Sequence, residues 1–138
     1  MRTPPLMRGP PWAAAALLIG LAAAAPAVAD DASGRWAVIG RVDGRGFTLD
    51  CKFVQTGQTL SGACVDGPTG DKTIKGGRSH PLTKGAVSGE KVAWTYQSSY
   101  GIITFGVDYD GVREGDHMSG DLKALGKTGP FTANRIPP

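Results

Sequence analysis

The chain has 138 residues, with 15 Lys and Arg against 12 Asp and Glu, 21 glycines and two cysteines. A formal charge of +3 with no basic run argues against nucleic acid and against an anionic membrane as partners.

The first segment reads as a leader, not as part of a fold. "MRTPPLMRGPP" carries Arg2 and Arg8 and no acid, "WAAAALLIGLAAAA" is apolar, and Ala27-Val28-Ala29 is a small-x-small cleavage site. This is the pattern of a Sec-type signal peptide, so residues 1–29 are expected to be removed after Ala29. A retained anchor would need about 20 apolar residues, and no cysteine follows the apolar run to carry a lipid. The expected location is periplasmic or secreted, with no stable membrane insertion after cleavage. Without the two leader arginines, 13 bases face 12 acids. Residues 30–138 are expected to form one domain. At that size folding hides about two-thirds of the unfolded surface, so one core forms without a metal.

Along the rest of the chain no helical apolar period is sustained. Short runs with period-two alternation recur between Gly, Asp and Ser clusters. "RWAVIGRV" places Trp36, Val38, Gly40 and Val42 on one face, and "FTLDCKFVQ" aligns Phe47, Leu49, Cys51 and Phe53. "TLSGACV" follows, then a weaker strand at "TIKGGRS" that could pair with the stretch around "GAVSG". "KVAWTYQSS" stacks Val92, Trp94 and Tyr96, and "IITFGVDYD" aligns Ile103, Phe105, Val107 and Tyr109. "DHMSGDLKA" aligns Met118, Gly120 and Leu122, and "PFTANRI" presents Phe131 and Ala133. The expected fold is all-β: a single antiparallel up-and-down barrel of about eight strands. Ser-Gly recurs in "LSGACV", "VSGEKV" and "MSGDLK", and glycine inside a strand marks a bend or a close backbone approach.

Two hairpin registers can be read by counting outward from a turn. With Gly57-Gln58 as a type II′ loop, Thr56 faces Thr59, Phe53 faces Gly62 and Cys51 faces Cys64. The cysteines then fall on a non-hydrogen-bonded pair, where Cα atoms approach to about 4.5 Å and a disulfide is feasible. In an oxidising compartment the bond should form, contributing on the order of 3 kcal/mol. A redox pair or a zinc cage lacks the spacing or the further ligands. With Tyr100-Gly101 as a second loop, Tyr96 meets Phe105, Trp94 meets Val107 and Val92 meets Tyr109.

Catalytic chemistry finds little support. His80 precedes Pro81 in an expected loop and His117 has the polar parity of its strand, so both read as solvent-facing. No nucleophile elbow, phosphate loop or metal-ligand spacing occurs. The run "DYDGVREGD" brings Asp108, Asp110, Glu114 and Asp116 around one turn, a calcium candidate whose spacing matches no cation loop. No metal and no cofactor is expected. The inner face is more informative, because rings alternate with Gly40, Gly62, Gly120 and Ala133. Either the rings fill the glycine gaps as a solid core, or the gaps leave a ring-lined cavity for one small ligand.

"SGRW" near the expected mature start, "LSG" in the first hairpin and "VAW" in the fifth strand resemble the calycin-type barrels, the lipocalin and avidin group. The resemblance covers nearly all of residues 33–136 and implies a small-molecule binding barrel. No residue set matches the biotin site of avidins, and the chain is shorter than typical lipocalins, so neither specific activity carries over. A weaker likeness to bacterial periplasmic inhibitors of metalloproteases implies a different partner, a secreted hydrolase met by the segment Asp30 to Ser33 and the rim loops. The leading expectation is an exported, non-enzymatic barrel that binds a small, largely apolar molecule through one open end. Trp36, Phe53, Trp94, Tyr96, Phe105 and Tyr109 are its expected ligand-binding residues.

Overall fold

Where apolar and polar residues alternate, the chain is extended. The computed structural model describes residues 31–68 and 76–138. They form β1 (Gly34–Val42), β2 (Arg45–Thr56), β3 (Thr59–Asp66), β4 (Ser79–Ser88), β5 (Lys91–Tyr100), β6 (Ile103–Glu114), β7 (His117–Ala124) and β8 (Lys127–Ile136). The expected leader lies outside the described residues, as do residues 73–75 of the expected fourth strand.

Each strand pairs antiparallel with the next, and β8 returns to β1 from Arg35↔Ile136 to Gly40↔Phe131, closing the barrel. Closure leaves no sheet edge to template aggregation. Apolar parity points inward: Trp36, Val38, Phe53, Leu60, Trp94 and Met118 are all buried. The outer wall carries Asp50, Lys52, Asp108, Asp110 and Asp121 part-way along the strands.

Six of the seven connections are two-residue hairpin loops. In four of them glycine comes first with positive φ (Gly57, Gly89, Gly101, Gly115), as type II′ turns require. In the other two, Asp43-Gly44 and Leu125-Gly126, both residues have positive φ, the type I′ pattern. The up-and-down path sorts these loops between two ends. Loops 43–44, 101–102 and 125–126, with residues 67–68 and 76–78 between β3 and β4, surround the mouth. The remaining loops and the segment leading into β1 surround the base.

The first hairpin has the expected register, with Thr56↔Thr59, Phe53↔Gly62 and Cys51↔Cys64. The two cysteines are buried and joined in a disulfide. The second hairpin differs from the expectation by two residues. Its loop is Gly101-Ile102, so Tyr96 meets Val107, Trp94 meets Tyr109 and Val92 meets Gly111. A shift of two preserves the side-chain faces, which is why the inner parity stands while the partners change.

The fourth strand is Ser79–Ser88, not the expected 73–79. Its inward parity breaks between Leu82 and Gly85, where the pairing with β5 slips at a bulge. That bulge, together with Pro81, hides the strand from a period-two reading. The three Ser-Gly copies also divide. A side chain at Gly62 would strike the Lys52 carbonyl oxygen and one at Gly120 the Asp110 carbonyl oxygen, so both are close-approach points within strands. Gly89 is a hairpin turn with open space around it.

Candidate functional site

The base is sealed by side chains from the two ends of the barrel sequence. Trp36, fully buried on β1, donates its indole N–H to the Ala32 carbonyl at 2.9 Å. The Arg135 guanidinium lies 4.5 Å over the Trp36 ring. It donates from Nε to Asp116 Oδ1 at 2.7 Å, from one terminal nitrogen to the Asp31 carbonyl at 2.7 Å, and from the other to the Ser33 carbonyl. Ala32 N–H in turn donates to Gln55 Oε1, and Ser33 Oγ accepts from the Gln55 N–H. Residues 31–33 are thereby fastened across the base.

Above this seal, the rings occupy one another's space. Trp94 stacks on Tyr109 at 4.7 Å between centroids and meets Phe53 at 4.9 Å and Phe131 edge-on at 5.4 Å. Gly111 leaves room for Phe131, and Gly40 for Phe47, since a Cβ at either would collide with the ring. The lower barrel is a packed aromatic core. Trp94 Nε1 has no hydrogen-bond partner among the described residues, so this ring serves as apolar bulk.

A polar belt crosses the interior above those rings. His80 is buried on β4 and stacks on Tyr96 at 4.8 Å. Its Nδ1 donates to the Gln97 carbonyl at 3.0 Å, and its Nε2 lies 2.9 Å from Asp66 Oδ2. The expectation of a solvent-facing loop residue is therefore corrected for His80. His117 is exposed as expected, bonded to Asn134. The Tyr96 and Tyr109 hydroxyls bond each other at 2.8 Å. Burial pushes both phenols above the ordinary tyrosine value, and the nearby Asp66 charge adds to the rise in each.

Beyond the belt the barrel opens into a cup of about 1300 Å³. Its apolar lining includes Phe47, Tyr96, Phe105, Val107 and Leu122, and Asp66, Thr48, Ser98 and Arg78 supply polar groups. Tyr96, Val107 and Leu122 are nearly fully buried and make its floor, whereas Phe47 and Phe105 are half-buried along its side. Of the six residues expected to contact a ligand, Tyr96 and Phe105 line this cup. Trp36, Phe53, Trp94 and Tyr109 lie below it in the packed half. Phe47, Val107 and Leu122 shared the inward parity of the expected residues, so height along the barrel was the missing information.

No protein-family model matches the chain, and no curated protein matches it in sequence. The geometry stands alone.

The acidic run does not gather at one turn. Asp108 and Asp110 lie on the outer face of β6, well before the Gly115-Asp116 loop, and Asp108 accepts from Thr95 Oγ1 at 2.6 Å. Asp116 is engaged by Arg135. Among the described residues no cluster of His, Cys, Asp and Glu could hold a metal.

Proposed function

We propose that this is an exported, calycin-like binding barrel that holds one small, largely apolar molecule in the cup at its mouth. The carrying observation is the contrast along one axis: an interior filled with rings below the Tyr96–Tyr109 belt and an open apolar cup above it. At about 1300 Å³ the cup exceeds the usual 300–1,000 Å³ of small-molecule sites, so it leaves room beside the ligand. The Cys51–Cys64 disulfide points to an oxidising compartment outside the cytoplasm, and the leader-like first 29 residues support export. The barrel acts by binding, not catalysis. Both ring nitrogens of His80, the one histidine near the cup, are already engaged by Gln97 and Asp66.

The hydrolase-inhibitor reading draws less support. The segment that would have to reach a protease is held at Asp31, Ala32 and Ser33 by Arg135, Trp36 and Gln55.

Displacement of an environment-sensitive apolar dye, with native mass spectrometry of the purified protein, tests the proposal. Wild-type protein should bind the dye, and Phe105→Asp should weaken binding at least tenfold, because a charge replaces apolar wall. Absence of dye binding, or equal binding by the variant, refutes the cup as a ligand site.

A further inference from the structure

Four large apolar side chains stand in water around the mouth: Tyr100 at 69% exposure, Ile102 fully exposed, Ile103 at 56% and Leu125 at 59%. Three of them form the tip of the β5–β6 hairpin. That tip pairs out to Tyr100↔Ile103, whereas β6 first meets β7 at Val107↔Ala124. It overhangs β7 by four residues, roughly 14 Å at about 3.4 Å per residue. Hairpin tips are ordinarily polar, and this one carries Ile-Ile.

Leu125 is costly in two ways. It opens the β7–β8 loop with a φ of 52°, a left-handed conformation that a leucine side chain disfavours. The equivalent position of the β1–β2 loop is Asp43, a residue type suited to that conformation. Leu125 thus accepts backbone strain in order to be apolar and exposed.

Folding also sorts the charges. Among the described residues, Arg41, Arg45, Arg78, Lys123 and Lys127 collect at or next to the mouth, against Asp43, Asp66 and Asp108, the last directly across from Lys123. Asp66 is engaged by His80, and Asp43 lies 3.9 Å from Lys127.

We propose that the mouth docks on a lipid bilayer bearing anionic headgroups. Tyr100, Ile102, Ile103 and Leu125 enter the boundary between headgroups and acyl chains, and the surrounding cations meet lipid phosphates. Protruding apolar tips ringed by bases suit a deformable anionic surface. A second copy of this chain would instead bring one basic ring against another. If the cup binds an apolar ligand as proposed above, docking lets that molecule pass between bilayer and cup without crossing water. The docking itself does not require that reading.

The test is co-sedimentation with vesicles of phosphatidylcholine alone or with a quarter phosphatidylglycerol, using protein whose N-terminus is the same in every variant by mass spectrometry. Wild-type protein should partition at least tenfold better onto the anionic vesicles, and several-fold less when salt rises from about 0.1 to 0.5 M. Ile102→Asp with Ile103→Asp should lower partitioning at least tenfold while leaving dye binding in the cup unchanged. Leu125→Asn should raise the Tm and weaken vesicle binding together, the signature of strain kept for docking. Failure of wild-type protein to bind anionic vesicles, or undiminished binding by the double variant, overturns the proposal. So does a concentration-dependent dimer, seen by sedimentation velocity, that Ile102→Asp dissolves, because a second copy would then be the occupant.

Discussion

The two ends of this barrel use arginine and aromatic side chains to opposite effect. At the base, Arg135 lies over Trp36 and satisfies backbone carbonyls of residues 31 and 33 while pairing with Asp116. The ring is buried, and the charge is spent inside the chain. At the mouth, Arg45, Arg78 and Lys127 surround a cup whose edge carries Tyr100 and Leu125 in water. The same residue types close one end and stand around the opening at the other. Stability is concentrated below the belt, and function is expected above it, which is how a closed meander can hold a rigid core and a binding site on one set of strands.

The sharpest way to break this comparison is to truncate one ring on each side of the belt. Trp94→Ala removes a ring packed against Phe53, Tyr109 and Phe131 and should cost about 3–5 kcal/mol in urea unfolding. Phe105→Ala, half-buried in the cup wall, should cost about 1 kcal/mol or less while weakening dye binding. Equal losses of stability would mean that the cup is core. Trp94→Phe should be milder than the alanine change, since the indole N–H has no partner to lose.

Arginines give the next largest contrast. Arg135→Met keeps an unbranched apolar side chain over Trp36 but abandons the carbonyls and Asp116, and should cost about 2–3 kcal/mol. Arg45→Met at the exposed mouth should stay within about 0.5 kcal/mol. The difference is read from paired urea midpoints at one pH. If the two substitutions cost the same, the base is not the clasp described here.

Local rules carried much of this fold. The cysteine register followed from a single turn, because Gly57 has the positive φ that a type II′ loop demands and β2 and β3 pair without a bulge from there to the disulfide. Side-chain parity likewise identified Trp36, Phe53, Trp94 and Tyr109 as inward. What local rules could not supply was height along the barrel, since parity repeats every two residues from base to mouth. That is why rings of the packed half and rings of the cup were indistinguishable. His80 escaped for a different reason: Pro81 reads as a strand breaker, and the bulge after Leu82 reverses the parity that would have shown the strand. The basic mouth was illegible because its members, from Arg41 to Lys127, are scattered through the sequence and meet only when the strands align.

The belt between the two halves yields the most specific effect, through pH. Tyr96 and Tyr109 are held above the ordinary tyrosine value, first by burial in both cases. In the unfolded chain each phenol ionises near pH 10, whereas in the folded barrel it stays neutral to higher pH. Stability from the pair is therefore complete below about pH 10 and is lost as pH rises through the folded values, because the unfolded state then releases protons that the native state retains. The slope should be about 1.4 kcal/mol per pH unit for each tyrosine within that window. The control is Tyr96→Phe with Tyr109→Phe, which removes both hydroxyls of one hydrogen bond and should be nearly neutral at pH 7. Urea unfolding between about pH 9 and 11 should show the steep decline in wild-type protein and a much flatter one in the double variant. In a Tyr100→Phe background, phenolate absorbance from the remaining pair should appear only as the barrel unfolds. Absorbance that rises in the still-folded protein would mean that water reaches the belt, and the division between a sealed half and an open half would fail at its boundary.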